Sequence, residues 1–359
     1  MSATRKSIRQ HFPLGAIFSK GSNNPITIHA VDDALFARVW SLVVESTVVE
    51  GELTRTTREA IAVVTSQRNS CPLCVTAHNM MKTATSNVEE PQEKIKEQAM
   101  KYAGAVLDAT WDGSYLDPVR EGNVHPETDK AYDLTPKAKI EAALTVLTFQ
   151  YLNRVVDALL GEELMSIMFA VPRVMARQLE QPSIMKYMNQ MMEPLLRGSI
   201  KKKHTTGLAE HLFSAAEKPD TLNLPDNLAG AAYGGENIAN TVGRLCEWVR
   251  TSYQDHFRTI IPKEAIAFAD DPANRPPAEY SQRMQWMLSN NPTRADKIFG
   301  EENQTRLMAE VLSNVRYSPK LLFNSKLWQD CVKLTGKENA KQCVMWYALR
   351  VSLEEARGF

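Results

Sequence analysis

Apolar residues recur every three or four positions along most of the chain. Phe36, Val39, Trp40, Val43 and Val44 form one such stripe. Ile140, Leu144, Leu147, Tyr151, Val155 and Leu159 form another, with Lys139, Glu141 and Arg154 falling between them. This spacing puts each set on one face of an α-helix. Sustained alternation at period two is almost absent, and most β-branched residues lie within helical patterns. The expected fold class is therefore all-α.

Three segments share a Leu-Thr pair followed by a helix-forming run: LTRTTREAIAVV from Leu53, LTPKAKIEAALTVL from Leu134 and LTGKENAKQCVMWYAL from Leu334. Thr54, Thr135 and Thr335 are each candidate N-caps, because a hydroxyl there can accept a bond from an otherwise orphan N–H of the first turn. Pro136 suits the first helical position. The matches hint at duplicated helical units. Loop chemistry rich in Gly, Pro and Asp marks breaks at Trp111–Asp133, Glu217–Asp226 and from Ala269 (ADDPANRPP). The expected organisation is a flexible basic segment over 1–29, a helical domain over 30–220 and a second helical domain over 221–359.

The balance of 42 basic and 42 acidic residues gives no global field toward nucleic acid, an anionic membrane or an acidic substrate. No apolar stretch approaches the roughly 20 residues that span a bilayer, so a soluble, cytoplasmic protein is expected. The N-terminus qualifies this: Arg5, Lys6, Arg9 and Lys20 precede the first acidic residue, Asp32. That suits either a mitochondrial presequence or a disordered basic tail. Seven of the 15 methionines fall between Met165 and Met192, a pattern of flexible core filling, and Lys201–Lys203 with His204 reads as a solvated helix end.

Five cysteines are too few and too odd in number for a secreted disulfide framework. Cys246, Cys331 and Cys343 are scattered and read as small buried side chains. Cys71 and Cys74 differ, standing in the stretch EAIAVVTSQRNSCPLCVTAH from Glu59 to His78. Asn69 and Ser70 are turn and cap residues, so Cys71 should open a helix with Pro72 in its first turn. On that helix Cys71 and Cys74 are i, i+3 and Cys74 and His78 are i, i+4, so the three converge on one patch. A CxxC alone can be a zinc half-site, a redox pair or coincidence. As a redox pair it has complementary chemistry: a thiolate attacks a peroxide oxygen, and the sulfenic acid condenses with the second thiol. A helix N-terminus acts most strongly on Cys71, an imidazole four residues on favours Cys74, and the spacing leaves both open as nucleophile.

Glu, eleven residues, Cys, two residues, Cys, three residues, His resembles the signature of the alkylhydroperoxidase-D members of the carboxymuconolactone decarboxylase superfamily, here Glu59, Cys71, Cys74 and His78. The flanks agree, with LTxxxRE before the motif, Ala77 before the histidine, and IEAALTVLTFQYLNRVVDALL, with its Asn153 and Arg154, resembling the helix that follows. The resemblance spans roughly residues 30 to 165. It implies an alkylhydroperoxidase-D-like helical fold and a thiol peroxidase, with Cys74 as the peroxidatic cysteine, Cys71 as the resolving one, and His78 and Glu59 as a proton relay. It further implies an organic hydroperoxide or H2O2 as substrate, an external dithiol reductant (lipoyl-bearing or thioredoxin-like), no cofactor and a homo-oligomer.

Two features depart from the pattern. Pro72 and Leu73 stand between the cysteines, where some members carry a histidine, and the chain is about twice the usual length. The C-terminal half has no second CxxC and is expected to be a degenerate helical repeat or a helical extension. The alternatives on the same fold are a decarboxylase-like lyase, which needs no cysteine pair, and a non-catalytic redox sensor.

Overall fold

The computed structural model describes residues 25–48, 51–86, 92–112, 132–160, 256–271, 304–317 and 319–355, with isolated positions at 190, 248, 249, 251, 298 and 299. The methionine-rich segment, the lysine run, Cys246 and the proposed break at 217–226 lie outside them. Among the described residues the secondary structure is helical throughout and contains no strand. The helices are α1 (Asp33–Val43), α2 (Arg55–Arg68), α3 (Pro72–Ser86), α4 (Glu93–Asp112), α5 (Pro136–Leu159), α6 (Lys263–Asp270), α7 (Gln304–Tyr317), α8 (Lys326–Thr335) and α9 (Lys337–Glu355). None of them is long and apolar enough to cross a membrane. The chain divides into two compact units: Met1–Asn153, Glu162–Arg244 and Leu353–Phe359 form one, and Arg154–Gly161 and Leu245–Ser352 form the other.

The first unit holds the cysteine pair. Its α1 starts where Asp32 accepts bonds from the N–H groups of Ala34 (2.8 Å) and Leu35 (2.9 Å), which satisfies two orphan donors of the first turn. The stripe Phe36, Val39, Trp40 and Val43 is buried as its spacing requires, while Val44 opens a short π-helical turn over Val44–Val48. Thr54 caps α2, taking the N–H of Thr57 at 3.2 Å, and Thr135 caps α5, taking the N–H of Ala138 at 3.0 Å. A core cluster joins Leu53 and Ile61 to Ala99, Ala103 and Leu107 of α4 and to Ala138, Ala142 and Val146 of α5.

Helix α5 is buried on more than its apolar stripe, because polar residues between the apolar positions are turned inward as well. Glu141 is 1% exposed, and its two carboxylate oxygens accept the backbone N–H groups of Glu52 (3.0 Å) and Leu53 (2.8 Å). Thr145 donates to the carbonyl of Ser46 at 3.1 Å. Arg58 binds the carbonyl of Leu53 through Nε (3.0 Å) and Nη2 (2.9 Å), and reaches that of Glu45 through Nη1. Two buried charged side chains thus hold the strand of chain that leads into α2, and each is paired, as burial of a charge demands. Gly51 lies against the same carboxylate so closely that a Cβ there would overlap the Glu141 oxygens.

In the second unit α6 packs on α7. Asp270, at the C-terminal end of α6, sits where the helix dipole disfavours a carboxylate. It is compensated by Arg316 (2.8 Å), both terminal nitrogens of Arg350 (3.2 and 2.5 Å) and the hydroxyl of Tyr347 (2.9 Å). Burial, the main cause, and the neighbouring Asp270 push the Tyr347 phenol well up. Cys331 and Cys343 are buried free thiols, and desolvation raises Cys331 to about 11 and Cys343 further still. Both match the reading of small core side chains.

Three local expectations are corrected. Thr335 is the last residue of α8 rather than an N-cap, and its hydroxyl donates back to the carbonyl of Cys331 at 2.9 Å. The cap of α9 falls on Gly336, whose carbonyl takes the N–H of Ala340 (2.9 Å) and whose φ of +82° ends one helix and begins the next. Glycine reaches that conformation without a Cβ penalty. Trp111 and Asp112, expected to open a break, belong to α4 instead, and the rest of that segment up to residue 131 lies outside the described residues. Ala269 and Asp270, expected to open another break, complete α6 instead, and the segment after Asp271 lies outside the described residues.

Removing the Glu141 carboxylate strands the buried N–H of Leu53 and releases that of the exposed Glu52, so Glu141→Ala is expected to cost about 1–3 kcal/mol in chemical denaturation. Gly51→Ala should destabilise through the same carboxylate, and its cost should largely vanish in the Glu141→Ala background.

A second prediction concerns His29, which is fully buried, bonded through Nε2 to the Tyr151 hydroxyl (2.6 Å) and through Nδ1 to the carbonyl of Ile26 (3.0 Å). Desolvation lowers its pKa from 6.5 to about 4. The folded state therefore favours the neutral ring, and this contribution is fully present above pH 6.5 and is lost as pH falls toward 4. Unfolding free energy should drop by about 3 kcal/mol across that window, and the drop should be smaller by that amount in His29→Gln.

Candidate active site

The turn between α2 and α3 sets the position of the cysteines. Ser70 adopts a left-handed conformation (φ +56°), its N–H bonds to the carbonyl of Gln67 (3.0 Å), and the N–H of Cys71 bonds to that of Ser66 (2.9 Å). These are the two bonds of a Schellman helix ending. The same Cys71 then begins the next helix, its carbonyl accepting the N–H of Val75 at 3.0 Å. Cys71 is thus the cap that precedes α3 rather than its first residue, and Pro72 takes the first helical position, where no backbone donor is needed.

Cys71 and Cys74 are joined in a disulfide, with Cα atoms 5.4 Å apart. Cys71 is fully buried and Cys74 is 7% exposed. One turn further along α3, His78 lies with its side chain 19% exposed, and its Nδ1 is 2.7 Å from Oε2 of Glu59 on α2. A carboxylate only accepts, so the ring nitrogen donates. Nε2 has no hydrogen-bond partner among the described residues, which leaves it as the nitrogen able to exchange a proton. Glu59 is 1% exposed. An exposed helix carboxylate, the ordinary fate of glutamate, is not what this one is.

The four residues singled out in the sequence form two pairs on α2, α3 and the turn between them: Cys71 and Cys74 bonded to each other, and Glu59 and His78 joined by a hydrogen bond. Several further residues border them. Arg55, one turn before Glu59, places Nε 3.5 Å from Oε1 of the same carboxylate. Its signal in the sequence is an Arg at i−4 from the motif glutamate. Phe149 of α5 stands edge-on to the His78 ring, with centroids 4.2 Å apart, and nothing distinguishes it from other apolar positions of that helix. Asn153, one turn on, accepts a bond from Ser66 at 3.3 Å and is fully buried. Among the described residues no group of three or more His, Cys, Asp or Glu side chains is placed to hold a metal ion.

This arrangement can carry reversible thiol–disulfide chemistry beside a base. Two sulfurs are already within bonding reach, so interconversion of dithiol and disulfide requires little backbone movement. The imidazole one turn from Cys74 is held by a buried carboxylate, which fixes the tautomer and orientation of the ring. No protein-family model and no curated protein matches the chain.

Proposed function

We propose that the protein is a thiol-dependent peroxidase of the alkylhydroperoxidase-D type. The observation that carries this reading is the Cys71–Cys74 disulfide with His78 one turn away, hydrogen-bonded to the buried Glu59. In the reduced enzyme Cys74 is the attacking sulfur, because it is the less buried of the two and is the one adjacent to His78 along the helix. The imidazole takes the thiol proton. The thiolate attacks a peroxide oxygen, the O–O bond breaks, and the proton returned by His78 lets the product leave as an alcohol or as water. Cys74 is then a sulfenic acid. Cys71 condenses with it, forming the S–S bond and releasing water, which blocks further oxidation.

Return to the dithiol needs two electrons from an external dithiol. Its thiolate attacks the disulfide, a mixed disulfide forms, and its second thiol completes the exchange. A lipoyl-bearing or thioredoxin-like protein has the required chemistry. The exposure of His78 and the near-burial of both sulfurs favour a small substrate approaching along the His78 side. Homo-oligomerisation belongs to the same proposal and rests on the sequence resemblance, whereas a cytoplasmic or mitochondrial location rests on the charge and hydropathy pattern and the descent of the C-terminal helices from a degenerate repeat on the three Leu-Thr segments.

With a regenerating dithiol system, Cys74→Ser is expected to abolish steady-state reduction of an organic hydroperoxide. Cys71→Ser should allow one oxidation per chain and then stop. His78→Ala and Glu59→Gln should each slow turnover by about 10²–10⁴-fold. Turnover that survives Cys74→Ser undiminished would move acid–base chemistry of a lyase to the front. Stoichiometric oxidation without turnover would favour a redox sensor.

A further inference from the structure

Arg55 stands at the first position of α2, directly after its cap Thr54, and is 7% exposed. Both circumstances are unfavourable for a cation. The N-terminus of a helix carries partial positive charge, and burial removes hydration that a guanidinium regains only from a partner. The neighbouring buried arginine, Arg58, is accounted for by the carbonyls of Leu53 and Glu45. Among its neighbours Arg55 faces Glu59, whose two oxygens are divided: Oε1 lies 3.5 Å from Arg55 Nε, an ion-pair contact and not a hydrogen bond, while Oε2 accepts from His78 Nδ1 at 2.7 Å.

From this division we infer that Arg55 is a positioning residue for the cysteine site, acting through Glu59 on His78. The guanidinium orients the carboxylate so that a single oxygen meets the imidazole, which keeps Nδ1 as the donor and Nε2 as the nitrogen that exchanges protons. Arg55 touches neither sulfur nor substrate. The inference rests on the redox reading of the site but not on peroxide as its substrate.

The test is the pH dependence of iodoacetamide alkylation of Cys74 in the reduced full-length chain, followed by peptide mass mapping. No peroxide is involved, so failure of the peroxidase reading leaves the result interpretable. Arg55→Gln is expected to slow alkylation at neutral pH about tenfold, equivalent to an upward displacement of the profile by about one unit. Arg55→Lys, which keeps a buried cation on a more flexible stem, should slow it by only about threefold. The decisive comparison repeats both changes in Glu59→Gln, where neither should slow alkylation further, because Arg55 acts through that carboxylate. Should Arg55→Gln fail to fold, the Arg55→Lys pair decides alone. Effects of Arg55 that persist undiminished without the Glu59 carboxylate, or no effect in either background, overturn the inference.

Discussion

A carboxylate sealed among helices must be paired, and the arrangement around the cysteines follows from how Glu59 meets that requirement. Its partner His78 comes from the next helix, so the Glu59–His78 bond fixes α3 against α2 at one end. The Schellman turn fixes them at the other, where the N–H of Cys71 returns to Ser66. Between these two constraints lies one stretch of α3 with the disulfide at its start. The imidazole that can move protons and the sulfurs that can move electrons are held by the same short connection. If the Glu59 carboxylate were lost, His78 would keep, among the described residues, the edge of Phe149 to orient it.

That pairing depends in turn on polar contacts some distance from the sulfurs. The chain entering α2 is held by Glu141, which takes the N–H groups of Glu52 and Leu53, and by Arg58, which takes the carbonyls of Leu53 and Glu45. Most of these contacts satisfy groups that would otherwise be buried and unbonded, so the helix start is over-determined. A precisely placed carboxylate one turn further along is then possible. Stability and site geometry share these residues, and changes at Gly51 or Glu141 should be felt at both.

Much of this was legible in the sequence wherever the relevant physics is local. The stripe of Phe36, Val39, Trp40 and Val43 follows from helical spacing, the caps Thr54 and Thr135 from their hydroxyls ahead of a helical run, and the pairing of Cys71 with Cys74 from their separation at a helix start. The bond between Glu59 and His78 did not follow from spacing, since the two lie on different helices, and only the family resemblance put them together. The burial of Glu141 and Arg58 was illegible because their partners are backbone groups of a loop. Thr335 misled because the Leu-Thr pair looks alike in all three segments. The following residue decides the outcome: Arg55 and Pro136 continue into a helix, while Gly336 turns the chain. Arg55 went unnoticed because a charged residue near a helix start is ordinarily solvated.

The central claim is that Cys71 and Cys74 are the working electron donors to a peroxide. The most direct measurement is a single turnover of the reduced chain with an equimolar organic hydroperoxide, quenched with an alkylating agent and mapped by mass spectrometry. The expected result is one alcohol formed per chain, a disulfide linking Cys71 to Cys74, and Cys331 and Cys343 recovered as free thiols. Consumption of the hydroperoxide with Cys71 and Cys74 still alkylatable, or an intact hydroperoxide beside a fully reduced pair, would contradict it.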